Sequence, residues 1–408
     1  MKKFIAILIL IIIFIAGIFV FTNKKTKDNK KHLVFMTLQM GTFSSYVNSV
    51  ISDFEKIHPD VKITWIDVPY SEGEKRALAS MLGNNPPDLI NLTPDFSILL
   101  AQRNALLKID KSYMKDFVPA IADSMKYNDE YYAFPFYATS ALTFYNSELL
   151  AKAKMAGVPE DYIELYKEAD KFKKSTGKYL TMPNLTENDT VLKILNKYNV
   201  NSPETIVSEK SEYIYNMYKY MYEKDLIPKE SITQGHRESL EKYMSGEVAV
   251  LPAGSNFLNI IKENAPEVFS KTKVAKQLVG STGKYDVSLM NLIIPVKANY
   301  PDEAIEFALF LTNKDNQIKL AKLTSIIPVN RYAIQDSYFN SQSQEIFAHS
   351  RALSAEQLNN LQSIDYHTKK QKELFSLANN YIQQIVLNKA ETTKLLNDFA
   401  QDWKKTQL

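Results

Sequence analysis

Between His32 and Leu106 the chain alternates two patterns in a fixed order, and no other feature limits its fold as strongly. His32–Leu38 is a short β-type run that stops at Gln39-Met40-Gly41. Ser44 or Ser45 can cap a helix, because Val47, Val50, Ile51, Phe54 and Ile57 follow at helical spacing until His58-Pro59 ends it. Val61–Trp65 then alternates apolar and polar residues as a half-buried strand does. Gly83–Asp88 reads as a loop leading into the strand Leu89–Leu92, and Pro94-Asp95 opens a second helical pattern through Leu99, Leu100 and Leu106. Strand, helix, strand, helix, strand at this spacing predicts βαβ units and a parallel sheet, so the fold class is α/β.

The remainder fits that class. Tyr131–Tyr145 reads as extended chain, dense in aromatics and interrupted by Pro135. Residues 146–245 read as mostly helical, with breaks at Pro159, Pro183, Pro203 and Pro228. Val248–Leu251 and Ser288–Ile294 are strand-like, Pro301–Asn313 is helical, and Ala355–Trp403 reads as a run of helices. There are no internal repeats. A length of 408 residues suits two domains or one large one.

The N-terminal stretch sets the expected compartment. Lys2 and Lys3 precede an uncharged apolar run from Phe4 to Phe21, and five Lys follow it by Lys31. About 18 apolar residues are at the short edge of a bilayer span and long for a signal-peptide core. No small-x-small cleavage site follows, and the chain has no Cys to carry a lipid anchor. The run is expected to be an export signal or an uncleaved anchor, leaving one soluble body outside the cytoplasmic membrane. The Lys excess after the run is the one feature opposed to that orientation. Residues 1–31 hold seven Lys and one Asp, so the body from 32 to 408 carries 42 basic and 45 acidic residues. That mild acidity argues against a nucleic-acid partner, whose phosphates need clustered Lys and Arg.

A search for catalytic apparatus returns little. Without Cys, thiolate zinc sites and cysteine nucleophiles are excluded. The five His are isolated and form no His-Glu-x-x-His pair, so no metal site is expected. Gly280-Ser281-Thr282-Gly283-Lys284 lacks the first Gly of a phosphate loop and has Tyr285 in place of its Ser or Thr, so it reads as a surface turn. There is no dinucleotide fingerprint and no Gly-x-Ser-x-Gly elbow, and no cofactor is expected. Asp88 with Asp95, or Asp129 with Glu130, could in principle serve a glycosidase, whose separation the sequence does not give.

Aromatic density without catalytic residues is what stands out. Tyr131, Tyr132, Phe134, Phe136, Tyr137, Phe144 and Tyr145 fall within fifteen residues, with Thr139 and Ser140 between them. Most of these rings are expected in the core, but some can stack on the C–H faces of a sugar whose hydroxyls need amide, hydroxyl and carboxylate partners. Asn256-Phe257, after Pro252-Ala253-Gly254 at a strand-to-helix turn, has the same character. Trp65 follows a strand alternation and is expected to be packed.

Five stretches carry a family resemblance. They are VNSVISDFEKIHPDVKITWIDVP, MLGNNPPDLINLTPDFSILLAQRNALLKID, YNDEYYAFPFYATSALTFYNSELL, YMSGEVAVLPAGSNFLNI and PDEAIEFALFLTNKDNQIKLAKLTSIIPVN. In this order, from about residue 32 to 335, the chain resembles the bacterial extracellular solute-binding proteins of family 1, the maltose-binding-like receptors of sugar-import ABC transporters. Gly283-Lys284-Tyr285-Asp286 departs from the Gly-rich stretch usual in that group.

The resemblance implies a two-lobed periplasmic-binding-protein fold of type II with the ligand between the lobes. Residues 32–138 plus 291–328 would form lobe 1 and 141–287 plus 331–408 lobe 2, after a signal or anchor and linker over 1–31. Crossings would fall near Ala138–Ala141, Val287–Met290 and Ile326–Arg331. It implies a carbohydrate ligand bound by hinge closure, with no catalysis, a monomeric receptor and ABC permease subunits as partners. A receptor for a peptide or ferric ion, or a secreted glycosidase, are the alternatives. By motif position the expected ligand-binding residues are Gln39, Thr42, Asn91, Asp95, Phe136, Tyr137, Asn256, Phe257 and Tyr285. Asp95 would accept sugar hydroxyls, the amides would donate and accept, and the rings would stack. Asp88 is expected to shape its loop instead.

Overall fold

A computed structural model describes residues 30–407, apart from 84, 340–342, 344, 363–365, 367, 369 and 388–390. The apolar run at 4–21 lies outside the described residues. Among those described, no helix is long and apolar enough to cross a membrane.

The opening alternation folds in the predicted order of elements, but Ser44 begins the first helix instead of capping it, and the helix that Pro94 opens stops at Gln102, leaving Leu106 in an isolated bridge with Pro295. Strand β1 (Lys31–Leu38) is followed by helix α1 (Ser44–Ile57), which buries Tyr46, Val47, Val50, Ile51 and Phe54. Strand β2 (Val61–Val68) pairs with β1 in parallel, Phe35 beside Trp65. Helix α2 (Tyr70–Leu82) has no apolar stripe in the sequence, because it buries only Gly73 and Ala77. A Cβ on Gly73 would stand 2.3 Å from a Leu38 methyl, so the missing side chain is what lets α2 approach β1. Strand β3 (Leu89–Leu92) then pairs in parallel with the other side of β1, and helix α3 (Pro94–Gln102) starts on Pro94, which lacks the N–H that a first turn cannot use.

A two-stranded hairpin, β4 (Lys126–Tyr127) and β5 (Glu130–Tyr131), precedes the long strand β6 (Phe134–Asn146). Most of 147–245 is helical, as expected, with β7 (Tyr179–Thr181) inserted and helix α4 (Glu209–Glu223) the longest element. Strand β8 (Val248–Gly254), helix α5 (Phe257–Asn264), β9 (Thr272–Ala275) and β10 (Tyr285–Ile293) follow. Then come helix α6 (Pro301–Leu311), β11 (Ile327–Pro328), helix α7 (Ile346–Gln357), β12 (Leu361–Gln362) and the tail helices α8 (Gln371–Leu387) and α9 (Thr392–Thr406).

One curled sheet runs β2-β1-β3-β10-β6-β8-β7. It is mixed rather than all parallel, because β10 inserts antiparallel between β3 and β6. Strand β6 spans both ends of the sheet. Its first half, Phe134–Ser140, pairs with β10 and β11, and its second half, Ala141–Asn146, pairs with β8 and β9. Pro135 is tolerated inside β6 because the ladder slips there, at the irregularity between Met290 and Asn291.

Four apolar clusters flank this sheet, two at each end. Phe35, Phe54, Phe134, Phe136 and Phe307 form one, and Met36, Ile90, Leu92 and Ile293 form the other on the opposite face of the same strands. At the far end Leu142, Phe144, Tyr243 and Leu258 form a third, and Phe172, Tyr215, Tyr218, Phe399 and Trp403 a fourth. After Asn330 the chain stays on the Phe35 cluster through Phe339. Helix α7 then lies across both ends: Phe347 and Leu353 pack on the Phe144 cluster, while Ala355 belongs to the Phe35 cluster.

Candidate ligand-binding cleft

The crossing strands β6 and β10 form the floor. Along β6, Phe136, Ala138 and Ser140 are buried, whereas Tyr137 is half-buried and Thr139 exposed, as a period of two requires. Residues directly opposite in an antiparallel ladder share a face. Thr139 stands opposite Ser288, and Tyr137 opposite Met290. Both hydroxyl residues are exposed. An open strip of Tyr137, Thr139 and Ser288 therefore lies where the chain passes from one pair of clusters to the other. Burial, with Tyr70 and Asp67 nearby, pushes the Tyr137 hydroxyl up to about 12, so it stays neutral and can donate a hydrogen bond.

The loop after β1 borders the strip. Gln39 takes a left-handed backbone (φ 53°), and Gln39 and Thr42 are both exposed. Asp67, which the sequence reading passed over, organises this loop. Its Oδ1 accepts from Thr37 Oγ1 at 2.6 Å and from the Met40 N–H at 2.9 Å, and its Oδ2 accepts from the Gly41 N–H at 2.8 Å. Trp65 is half-buried and donates its indole N–H to Thr37 Oγ1 at 2.7 Å, in keeping with a packing role. Tyr70, at the start of the unforeseen α2, is 53% exposed. Partial burial, together with the charges of Glu74 and Asp95, raises its hydroxyl.

Asp95 sits in the first turn of α3, exposed, where a carboxylate is favoured by the helix dipole. Its Oδ2 accepts a hydrogen bond from Gln371 Nε2 at 3.0 Å. Gln371 opens α8, whose Leu374 and Ala378 belong to the Trp403 cluster, while α3 packs Leu100 and Ala101 on the Met36 cluster. The two ends of the molecule therefore touch through this pair.

On the far side, the pairing of Ala141 with Gly254 brings the turn between β8 and α5 beside the crossing. Asn256 is exposed at the start of α5, and Phe257 is half-buried with its ring edge-on to His236 at 4.7 Å. A Cβ on Gly254 would fall 2.5 Å from Asn256 Oδ1, so the absence of a side chain there leaves room for the Asn256 amide to fold over the turn.

Three nominated residues are placed elsewhere. Asn91 is fully buried, its Nδ2 donating to the Asn291 carbonyl at 3.1 Å and its Oδ1 receiving the Leu38 N–H at 3.5 Å. It ties β1 to β10 and offers no exposed atom. Phe136 is 1% exposed on the core face of β6, the wrong side from Tyr137. Tyr285 falls, by the same alternation, on the face of β10 opposite Ser288, among Lys276, Glu160 and Glu356. The Asp88 carboxylate accepts from the N–H groups of Val34, Asn299 and Tyr300, so it ties β1 to the turn before Pro301 rather than holding its own loop.

The arrangement offers hydroxyls, rings and the carboxylates of Asp95, Glu74 and Asp67 around Tyr70 and Tyr137. Asp88 is buried and fully engaged, while Glu130 is at the β4–β5 hairpin and pairs with Lys108. Among the described residues no group of three or more His, Cys, Asp or Glu could hold a metal ion.

Comparison with known proteins decides the family. Residues 40–318 match the bacterial extracellular solute-binding proteins. The chain belongs to this family. Its fold is the α/β, two-lobed type II arrangement of the family's solved members. A "putative oligosaccharide periplasmic-binding protein" from Synechococcus sp. MITs9220 superposes with a TM-score of 0.80 at 27% identity, over 91% of this chain and 98% of that one. The sugar-binding protein MalE from Xanthomonas citri superposes with a TM-score of 0.79 at 17% identity, over 92% and 97% of the two chains. A "putative binding protein" of Brucella abortus (strain 2308) is 22% identical over 378 residues, 87% of this solute-binding protein and 88% of that one. These family members are described as binding proteins.

Proposed function

We propose that this solute-binding protein is the extracytoplasmic receptor of an ABC importer and that it binds a carbohydrate between its two lobes without breaking a bond. The strip of Tyr137, Thr139 and Ser288, together with the Asp95–Gln371 bond that joins the two ends of the molecule, carries the reading. A neutral, hydroxyl-rich guest suits it, because each hydroxyl can donate and accept, Asp95 can accept, and aromatic faces cover C–H patches. The oligosaccharide- and sugar-binding descriptions of the Synechococcus and Xanthomonas proteins support the same class of ligand. Gln39, Thr42, Asp95, Tyr137, Asn256 and Phe257 stay in the proposed site, joined by Tyr70, Thr139 and Ser288.

Lobe 1 would comprise 32–138 plus 291–328 and, because the chain stays on the Phe35 cluster through Phe339, the stretch 331–339 as well. Lobe 2 would comprise 141–287 plus the chain from α7 onward, with 4–21 as export signal or anchor and the receptor acting as a monomer. Each lobe supplies part of the contacts, so ligand binds best to the closed arrangement and shifts the hinge population by that difference in affinity. Closure would then present a composite surface to the permease.

A thermal-shift panel tests the ligand class. Mono- and oligosaccharides, short peptides and ferric citrate are compared, since a ligand that binds only the folded state raises the melting temperature. Stabilisation by at least one sugar is expected. Stabilisation by peptide or iron alone would remove the carbohydrate claim and keep the receptor.

A further inference from the structure

Where β6 changes partners, between Ser140 and Ala141, the sheet ladder cannot satisfy every backbone group. Ser140 is the last residue paired with β10 and Ala141 the first paired with β8. The carbonyl of Ala141 is instead taken by a side chain. Gln357, the last residue of α7 and fully buried, donates its Nε2 to that carbonyl at 3.1 Å and to Ser140 Oγ at 2.6 Å. Its Oε1 accepts the backbone N–H of Gln277 at 2.6 Å.

Gln277 repeats the device on the second crossing strand. Its own amide, 7% exposed, holds both backbone groups of Asp286 at the start of β10. Oε1 accepts the Asp286 N–H at 2.7 Å, and Nε2 donates to the Asp286 carbonyl at 3.3 Å. Lys197 Nζ, buried at 1% exposure, donates to Gln277 Oε1 at 3.1 Å and pairs with the Asp286 carboxylate at 2.9 Å.

Two carboxamides thus join β6 at Ser140–Ala141, β10 at Asp286 and α7, which packs on both ends of the sheet. Backbone ladders resist relative rotation of their strands, whereas a side-chain amide can turn about its χ angles while keeping its partners. A buried amide that lost its partners would be costly, so the network also limits how far the strands can separate.

We propose that Gln357 and Gln277 are positioning residues that form the pivot of lobe closure and set the balance between open and closed forms. This rests on the two-lobed receptor reading, but not on the ligand being a sugar. Neither residue is expected to touch the guest.

The test uses the full chain, which has no native Cys to interfere with labelling. Lys75→Cys on α2 and Asn259→Cys on α5, both exposed, carry spin labels that report the distance between lobes without ligand. Gln357→Met keeps the volume and removes the hydrogen bonds. It should broaden the ligand-free distance distribution and weaken binding of whichever compound stabilised the parent about fivefold or more, as the competent fraction falls. Gln357→Glu, which keeps an acceptor for Gln277 N–H, should fall between parent and Gln357→Met. If Gln357→Met does not fold, Ser140→Ala removes one partner at little structural cost and should broaden the distribution in the same sense. Distributions unchanged in the folded variants, whatever happens to the melting temperature, would overturn the pivot. A broadened distribution in a protein that binds no sugar would sink the carbohydrate claim alone.

Discussion

Thr139 and Ser288 face one another across the β6–β10 ladder, and both side chains are exposed on the same side of the sheet. Opposed Cβ atoms in such a pair lie about 4.5–5.5 Å apart, so two rigidly mounted hydroxyls are within reach of one small polar guest. Neither residue is needed by the apolar clusters. Removing both hydroxyls, as Thr139→Ala with Ser288→Ala, should therefore spare stability and harm binding. Each substitution should weaken sugar binding by about 1 kcal/mol, roughly fivefold, as read by calorimetry. Unaltered affinity in the double variant would move the ligand off the strip.

Asp67 predicts a different separation. It holds the loop after β1 through the Met40 and Gly41 N–H groups and Thr37, although the residue itself is exposed. Asp67→Ala should destabilise the fold by only about 1 kcal/mol in urea denaturation, because solvent can replace these bonds. Ligand affinity should nonetheless drop, since Gln39 and Thr42 lose their fixed loop. Faster amide exchange at Met40 and Gly41 is the accompanying signature.

The buried ion pair predicts non-additive stability. Burial holds the Lys197 ammonium below its ordinary value, with Asp286 opposing that shift. Asp286→Ala would strand this charge and should cost about 3–5 kcal/mol. Adding Lys197→Met should recover much of that loss, because no charge is then left in the interior. Equal stability of the single and double variants would show that Lys197 finds water or another partner.

Alkaline pH supplies the titration prediction. Burial raises the hydroxyls of Tyr46, Tyr166, Tyr215 and Tyr243 above their ordinary value of 10.0. In the unfolded chain these groups lose their protons first, so the folded state binds more protons and stability falls as pH rises. Their contribution is fully present below about pH 10 and is lost above it, by up to about 1.4 kcal/mol per pH unit for each group. Phenolate absorbance should show these four buried tyrosines ionising only in a late phase that coincides with unfolding. A single phase complete before unfolding would contradict this burial.

The sequence revealed elements with strong periodicity and hid those held by close approach or by pairing. The β1–α1–β2 and β3–α3 units follow apolar spacing and were legible. Helix α2 was not, since a contact made through Gly73 leaves no stripe to read, and Tyr70 was missed with it. Within the aromatic segment, Phe136 and Tyr137 are chemically alike in one dimension. Only the register of β6 against β10 shows that one faces the core and the other the strip. Asn91 misled for a related reason: a polar residue near the end of a strand looks available until its amide is seen bridging the two neighbouring strands. Asp67 and Gln371 had no motif at all, because their partners lie far along the chain or in the backbone.

Small-angle scattering from the whole protein, recorded while the stabilising sugar is titrated in, bears most directly on the claim that a hydroxyl-rich guest is clasped between the lobes. The radius of gyration should contract and level off at one sugar per chain, and Thr139→Ala with Ser288→Ala should need more sugar to reach the same end point. A sugar that binds saturably while the radius stays constant, or that contracts the double variant at parental concentrations, would contradict the account.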